Sequence, residues 1–365
     1  SEATGMAART IHRMLEVSGG TTDGESTRSF QRNAENPLET DVVVVDEMSM
    51  VDLPLFRALL RAIAPGTRLI LVGDEHQLPS VGPGTVLKDL IASEKFEMVM
   101  LKKIFRQAGE SDIVMNAHAI LDGKIPAMDN KSRDFYFLSR TDAEEIMQGV
   151  IYLVSKKLPP YVKAEPVEIQ VMTPMKKGLL GVEAMNRRLQ EALNPPDRNK
   201  YEKNFGSWVL REGDKVMQTR NNYQLEWEME KEDSPLQESG SGVFNGDMGI
   251  VTRIDPAFGD VTVLFDDGRK VRYPSATAGE LELAYAITIH KSQGSEYPAI
   301  VLPLLSGPEI LMTRNLIYTA ITRAKSCVVI IGRKETVENM IRNTNEQKRY
   351  TSLDKRIKEV FEKMR

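Results

Sequence analysis

Apolar residues follow two rhythms along the chain. Short unbroken runs, VVVV at 42–45, LILV at 69–72, AIVLPLL at 299–305 and CVVIIG at 327–332, stand between segments whose apolar positions recur at helical spacing. Runs of the first kind suit strands of a parallel sheet buried on both faces, and the segments between them suit the covering helices. Helices are predicted over Ala3–Leu15, with Ala3, Met6, Ala7, Ile11, Met14 and Leu15 on one face, over Pro54–Ile63 and over Val86–Ala92. Further strands are predicted at EMVMLKK (97–103), DFYFLS (134–139) and VEIQVMTPM (167–175).

The rhythm changes between about Trp208 and Tyr285. There, short alternating stretches, WVLREGDKVMQTRNNY, VFNGDMGIVTRID and DVTVLFDDGRKVRYP, are punctuated by Asn-Gly and Asp-Gly. That pattern predicts a small antiparallel barrel inserted into a second α/β domain. The polar segment 17–40, VSGGTTDGESTRSFQRNAENPLET, carries a Gly-Gly turn signal and suits a protruding hairpin.

Composition narrows the class without naming the chemistry. The 365 residues are 41% hydrophobic and 27% charged, ordinary for a globular protein, and suffice for two domains with a small insert. No apolar run approaches the roughly 20 residues of a membrane helix, and no signal peptide opens the chain, so a cytoplasmic protein with no membrane partner is expected. Cys327 is the single cysteine, which excludes an internal disulfide and a cysteine-based metal site. The net charge of −4 is unevenly spread. An acidic stretch, EWEMEKEDSPLQE (226–238), contrasts with the basic MKKGLLGVEAMNRRLQ (175–190) and with Lys348, Arg349, Lys355, Arg356 and Lys358. A solvated face accounts for such runs unless other signals accompany them.

Two strand ends carry candidate chemistry. In DVVVVDEMSMVD, Asp46 and Glu47 follow the valine strand; one carboxylate can hold Mg2+ through water and the next can polarise an attacking water. In LILVGDEHQLPSVGPG, Gly73 and Asp74 end the next strand and Gln77 follows, an amide suited to sensing a γ-phosphate. Either stretch alone also fits an ordinary strand end with acidic caps.

The motif series gives more. DEMSMVD, GDEHQLPSVGPG, IFRQ (104–107), YAITIHKSQGSEY (285–297) and LIYTAITRAK (316–325) resemble, in order, motifs II to VI of the RecD-like branch of superfamily-1 helicases, which includes the exodeoxyribonuclease V alpha subunit and TraA-type conjugative helicases. TIHRML (10–15) resembles the segment just past motif Ia, so the resemblance spans nearly the whole chain.

That resemblance implies two RecA-like P-loop NTPase motor domains, the first N-terminally truncated, with an inserted β-hairpin and an SH3-like barrel. The implied boundaries are 1–104 (domain 1A) with the hairpin 17–40 (1B), 105–206 and 285–365 (2A, including the C-terminal helix), and 207–284 (2B). It implies an ATP- and Mg2+-dependent helicase moving 5′ to 3′ on single-stranded DNA and at single-strand/duplex junctions. A recombination or repair role, monomeric state and unidentified nuclease or helicase complex subunits belong to the same expectation. Asp46 (also the metal ligand), Glu47, Gln77, Arg106 and Arg323 take catalytic roles, the arginines as fingers on the transferred phosphoryl group. Gly73, Asp74, Gly294 and Glu296 face the nucleotide. Thr10, His12, Pro174, Lys176, Lys177, Asn186, Thr288, His290 and Ser292 face DNA.

One family element is absent. No GxxxxGK[ST] loop occurs in the 365 residues, and in the family it precedes TIHRML. The chain is therefore expected to continue upstream in a longer protein, and by itself to hydrolyse no ATP and unwind no DNA. Two other readings remain open: a DNA-binding part of a conjugative relaxase, and a nucleic-acid-dependent nucleotide switch without unwinding.

Overall fold

The computed structural model describes residues 8–18, 29–101, 111–231, 234–345 and 349–364. The chain divides into two compact units, 1–103 with 347–365, and 104–346.

In the first unit, Val42–Val45 pairs in parallel with Arg68–Leu71, Val42 opposite Arg68 and Val45 opposite Leu71. Helix Leu53–Ala62 starts where Asp52 caps it, Oδ1 accepting from the Leu55 amide at 2.9 Å. Its buried Phe56 and Leu59 meet Val43, Val45, Met48, Val86 and Leu15 in one core. Burial of the valine strand alternates, contrary to the expected two-sided cover. Val43 and Val45 are buried, whereas Val42, Val44, Ile70 and Val72 are exposed. Among the described residues this sheet has two strands and a core on one face only.

Three other expectations change here. Residues 97–101 form no strand, and Val99 and Leu101 are exposed; residues 102 and 103 of the predicted strand lie outside the described set. The N-terminal helix is the single turn Ile11–Met14, because Thr10, with extended backbone, accepts from the Arg13 amide and caps it there; residues 1–7 lie outside the described set. The C-terminal segment groups with the first unit rather than with the second α/β domain. Leu353 joins the first core, and Phe361 meets Phe96 edge to face at 5.7 Å. Strands Val17–Ser18 and Ser29–Phe30 pair antiparallel at the base of the expected hairpin, whose residues 19–28 lie outside the described set.

The second unit holds a five-stranded, wholly parallel sheet in the order Ala286–Thr288, Gln170–Thr173, Tyr297–Leu304, Ala324–Gly332, Phe135–Ser139. Helices include Ala143–Tyr152, Val182–Leu193 and Arg314–Ile321. Between Gln170–Thr173 and Ala286–Thr288 in sequence lies a seven-stranded antiparallel sheet, the expected β insert. Of the acidic run 226–238, the described residues lie on two paired antiparallel strands, Asn222–Lys231 and Ser234–Val243, with Glu226 and Glu228 exposed.

A buried polar network ties this insert to its host. Asp214, fully buried, accepts from the Arg211 amide (2.7 Å), Asn194 Nδ2 (2.7 Å), Gln190 Nε2 (2.5 Å) and the Tyr285 hydroxyl (2.9 Å). Burial pushes its carboxyl above the ordinary range, although these bonds oppose the rise. Next to it, Lys215 Nζ donates to the Val167 carbonyl (2.6 Å) and to Gln170 Oε1 (2.9 Å). Burial lowers its pKa to about 8, with Asp266 and Glu168 opposing the fall. No helix among the described residues is long and apolar enough to cross a membrane.

Candidate nucleotide and nucleic-acid sites

The first group of candidate residues assembles where the two parallel strands of the first unit end. The Val72 amide donates to Val45 O (2.8 Å) and the Met48 amide to Val72 O (3.0 Å), which holds the turn after Asp46–Glu47 against the turn after Gly73. Gly73 fits that contact closely: a Cβ there would lie 3.0 Å from the Met48 nitrogen and 3.0 Å from Leu87 Cδ2. Glu47 adopts φ 52°, ψ 43°, a left-handed conformation uncommon for a residue with a side chain. Such strain persists where surrounding packing imposes it, and it clusters at functional sites.

Asp46 is exposed, and its Oδ1 accepts from the Glu47 amide at 2.7 Å. Asp74 accepts from the His76 amide through Oδ1 (2.9 Å) and from Gln77 Nε2 through Oδ2 (3.4 Å). Gln77 is buried, and its Oε1 has no hydrogen-bond partner among the described residues. A buried acceptor without a donor is costly, so this oxygen suits a bound water or ligand donor. No group of three or more His, Cys, Asp or Glu residues able to hold a metal occurs among the described residues. A site made of one or two carboxylates and polar oxygens fits Mg2+, which keeps most of its waters and takes phosphate oxygens. The exposed Asp46 supplies such a hard oxygen; Arg106 lies outside the described residues.

In the second unit, the strand ends bring motif V and motif VI residues together. The Tyr297 amide donates to the Arg323 carbonyl at 2.9 Å, and Glu296 lies 3.6 Å from Lys325. Arg323 is buried just past helix Arg314–Ile321. Gly294 is exposed with φ +75°, where L side chains are strained.

The residues expected on DNA divide. Lys176 and Lys177 are exposed on the loop after Gln170–Thr173. This loop is tightly built: the Met175 and Lys176 carbonyls accept from the Val182 and Glu183 amides, each at 3.1 Å, and a Cβ on Gly181 would meet the Lys177 carbonyl carbon at 2.5 Å. Thr288 pairs in register with Thr173 on the neighbouring strand, and His290 is exposed. Thr10 caps its helix turn, and the His12 ring lies 6.0 Å from Phe30.

Three of those expectations are corrected. Asn186 is buried; its Nδ2 donates to Leu283 O and Ala286 O, both at 2.9 Å, and its Oδ1 accepts from the Ala286 amide at 2.7 Å. Its hydrogen-bonding capacity goes into holding the helix on the sheet. Ser292 is fully buried, its hydroxyl donating to Ile289 O at 2.8 Å. Pro174 is buried at the strand end and shapes the loop rather than presenting a surface.

Sequence reasoning missed Glu282 and Lys291. Glu282 on Leu281–Leu283 accepts from Lys176 (2.9 Å) through one oxygen and from Lys291 (3.3 Å) through the other. Partial burial pushes the Glu282 carboxyl up, but the two lysines outweigh it and hold the acid below its ordinary value. The hydrogen bond to Glu282 correspondingly raises the Lys176 pKa. Only the sequence proximity of Glu282 to motif V hinted at this arrangement.

Comparison with known proteins yields three consecutive family matches. An AAA domain matches residues 1–137, the ATP-dependent RecD-like DNA helicase SH3 domain matches 185–265, and the UvrD-like helicase C-terminal domain matches 283–331. The ATP-dependent RecD2 DNA helicase of Deinococcus radiodurans is 33% identical over 324 residues, covering 89% of this chain and 40% of that protein. The RecBCD enzyme subunit RecD of Mycolicibacterium smegmatis is 31% identical over 366 residues, covering 97% of this chain and 60% of that subunit. Among solved structures, a Pif1 helicase from Bacteroides in complex with ADP-AlF3 and ssDNA is 18% identical with a TM-score of 0.49, covering 97% of this chain and 83% of that one. The chain thus spans less than two thirds of the length of both curated relatives.

Proposed function

We propose that this chain, which belongs to the RecD-like family of superfamily-1 helicases, supplies most of an ATP-driven DNA helicase motor to the whole protein. The observation that carries the reading is the pairing of two strand ends in the first unit. Asp46–Glu47 and Gly73–Asp74 lie against one another there, with the buried Gln77 carbonyl lacking a donor among the described residues.

In this reading Asp46 would hold Mg2+ through water, Glu47 would polarise the attacking water, and Gln77 Oε1 would accept a hydrogen bond from that water or its neighbour. Bound with ATP, the metal would neutralise charge on the phosphate oxygens as the γ-phosphoryl group transfers. Arg323 and Arg106 meet the charge that develops on that group. Gly294 lets backbone approach the nucleotide, and Glu296 exchanges Lys325 for the sugar. Lys176, Lys177, Thr288 and His290 form a surface for the backbone of single-stranded DNA. The hairpin within residues 17–40 serves as a wedge at the duplex junction, and 207–284 forms the SH3-like domain. Movement is 5′ to 3′, in a recombination or repair setting.

Strand displacement by the whole protein on 5′-tailed and 3′-tailed duplexes tests this reading. ATP-dependent opening of the 5′-tailed duplex is expected. Failure on both substrates would remove the helicase assignment, and success from 3′ tails alone would reverse the polarity.

A further inference from the structure

The loop after Gln77, Leu78 to Gly84, folds around one guanidinium. Arg349 Nη1 donates to Ser80 Oγ (3.2 Å), Gly82 O (2.6 Å) and Gly84 O (2.9 Å), and Nη2 donates to Ser80 O. The planar fork of arginine can satisfy acceptors on several sides at once, which the ammonium of lysine cannot do with the same rigidity. The opposite side of the loop rests on a helix start: the Leu53 amide donates to Pro83 O at 2.9 Å. There, a Cβ on Gly82 would come within 1.9 Å of Asp52 Oδ2. Ser80 is buried, yet Val81 at the tip is 91% exposed. The loop is therefore held by its base and carbonyls, not by apolar burial of its tip.

The segment that carries Arg349 is itself anchored. The Thr351 hydroxyl donates to Asp89 Oδ2, whose other oxygen accepts from Thr85 Oγ1 at 3.1 Å. Leu353 and Phe361 add apolar contacts, and helix Leu353–Lys363 packs on helix Val86–Ser93. These contacts lie in the first unit, whereas the preceding chain up to residue 346 belongs to the second.

We propose that Arg349 is a positioning residue for the nucleotide-sensing loop: it fixes the backbone after Gln77 and thereby the place of the Gln77 amide. The C-terminal segment, beyond the last helicase motif, then forms part of the sensing apparatus rather than a passive tail. This rests on the proposed role of Gln77 in ATP hydrolysis.

The test uses the whole protein with Arg349→Ala, Arg349→Lys and Gln77→Ala. Misplacing a catalytic group by about 1 Å can cost up to about a hundredfold in rate. DNA-stimulated ATP turnover of Arg349→Ala is expected to fall by about tenfold or more, with single-stranded DNA affinity changed less than about twofold. Free guanidinium at low, non-denaturing concentration is expected to restore part of the turnover in Arg349→Ala, but not in Gln77→Ala, and Arg349→Lys is expected to stay impaired. Hydrogen exchange of amides 77–84 is expected to speed up in Arg349→Ala. This readout needs no ATP turnover, so it separates failure of the clamp from failure of the helicase reading. Unchanged exchange in 77–84, or wild-type turnover per folded molecule, would overturn the proposal.

Discussion

Glu282 offers a sharp electrostatic test of the proposed DNA surface. One carboxylate sits between Lys176 at 2.9 Å and Lys291 at 3.3 Å, each oxygen taking one lysine. A phosphodiester also presents two oxygens and one negative charge, so under the proposed reading the Glu282 charge competes with a DNA phosphate for these two lysines. Glu282→Gln keeps the shape and removes the charge, raising the local charge of the three side chains from +1 to +2. A unit charge about 6 Å from an incoming phosphate contributes roughly 0.7 kcal/mol at the dielectric of water and more where water is partly excluded. With these side chains partly exposed, about 1 kcal/mol is a fair magnitude, or about fivefold tighter binding at low salt. One further neutralised phosphate steepens the dependence of log affinity on log salt by about 0.7 for single strands. Fluorescence anisotropy of a labelled oligothymidylate, titrated between about 50 and 200 mM salt, reads both quantities. Lys291→Ala should reduce the slope by about the same amount. Equal or weaker binding by Glu282→Gln with an unchanged slope would refute the reasoning and leave the two ion pairs as surface structure.

Other outcomes follow from the same geometry. Asp214→Ala leaves three side-chain donors and one backbone amide facing an apolar methyl, so chemical denaturation should show the second unit destabilised by about 3 to 5 kcal/mol. Lys215 has a folded pKa of about 8 against 10.5, so the unfolded chain binds more protons between those values and stability should rise with pH across that window. In Lys215→Met this rise should be missing from urea-unfolding free energies compared with wild type; identical pH profiles would contradict the buried-lysine assignment. Gly73→Ala pushes a methyl against the Met48 nitrogen and Leu87, so ATP turnover of the whole protein should fall while oligonucleotide affinity holds.

The fold was most legible where packing demands little beyond a run of apolar side chains. AIVLPLL and CVVIIG announced parallel strands because strands covered on both faces need only apolar residues in sequence, and VVVV, though only Val43 and Val45 are buried, pairs in parallel as well. The alternation in EWEMEK also carries a strand signal, but its acidic positions hid it, and the stretch lies in the long hairpin of the insert. Asn186 was misread for a related reason. It lies on the same helical stripe as Val182, Met185, Leu189 and Gln190, all buried, and a polar residue inside an apolar stripe signals a buried hydrogen bond. The strand-end carboxylates of the candidate site were readable as chemistry from their context. The Arg349 contacts were not, because their partners lie more than 260 residues earlier in the chain, and nothing local encodes such a bond.

The network around Asp214 bears on how this architecture can be rebuilt. Its members come from the helix before the β insert and its C-terminal cap (Gln190, Asn194), from strand Val209–Arg211 and the turn after it (Arg211, Asp214), and from the link between Leu281–Leu283 and Ala286–Thr288 (Tyr285). A protein engineer who excised 207–284 and joined the ends would remove the acceptor and the Arg211 amide while leaving the three side-chain donors, Gln190, Asn194 and Tyr285, in the host. A graft that brought in a foreign barrel without an equivalent carboxylate would meet the same mismatch. The seam between module and host is thus itself a folded core, and recombination that preserves this protein has to cut outside it.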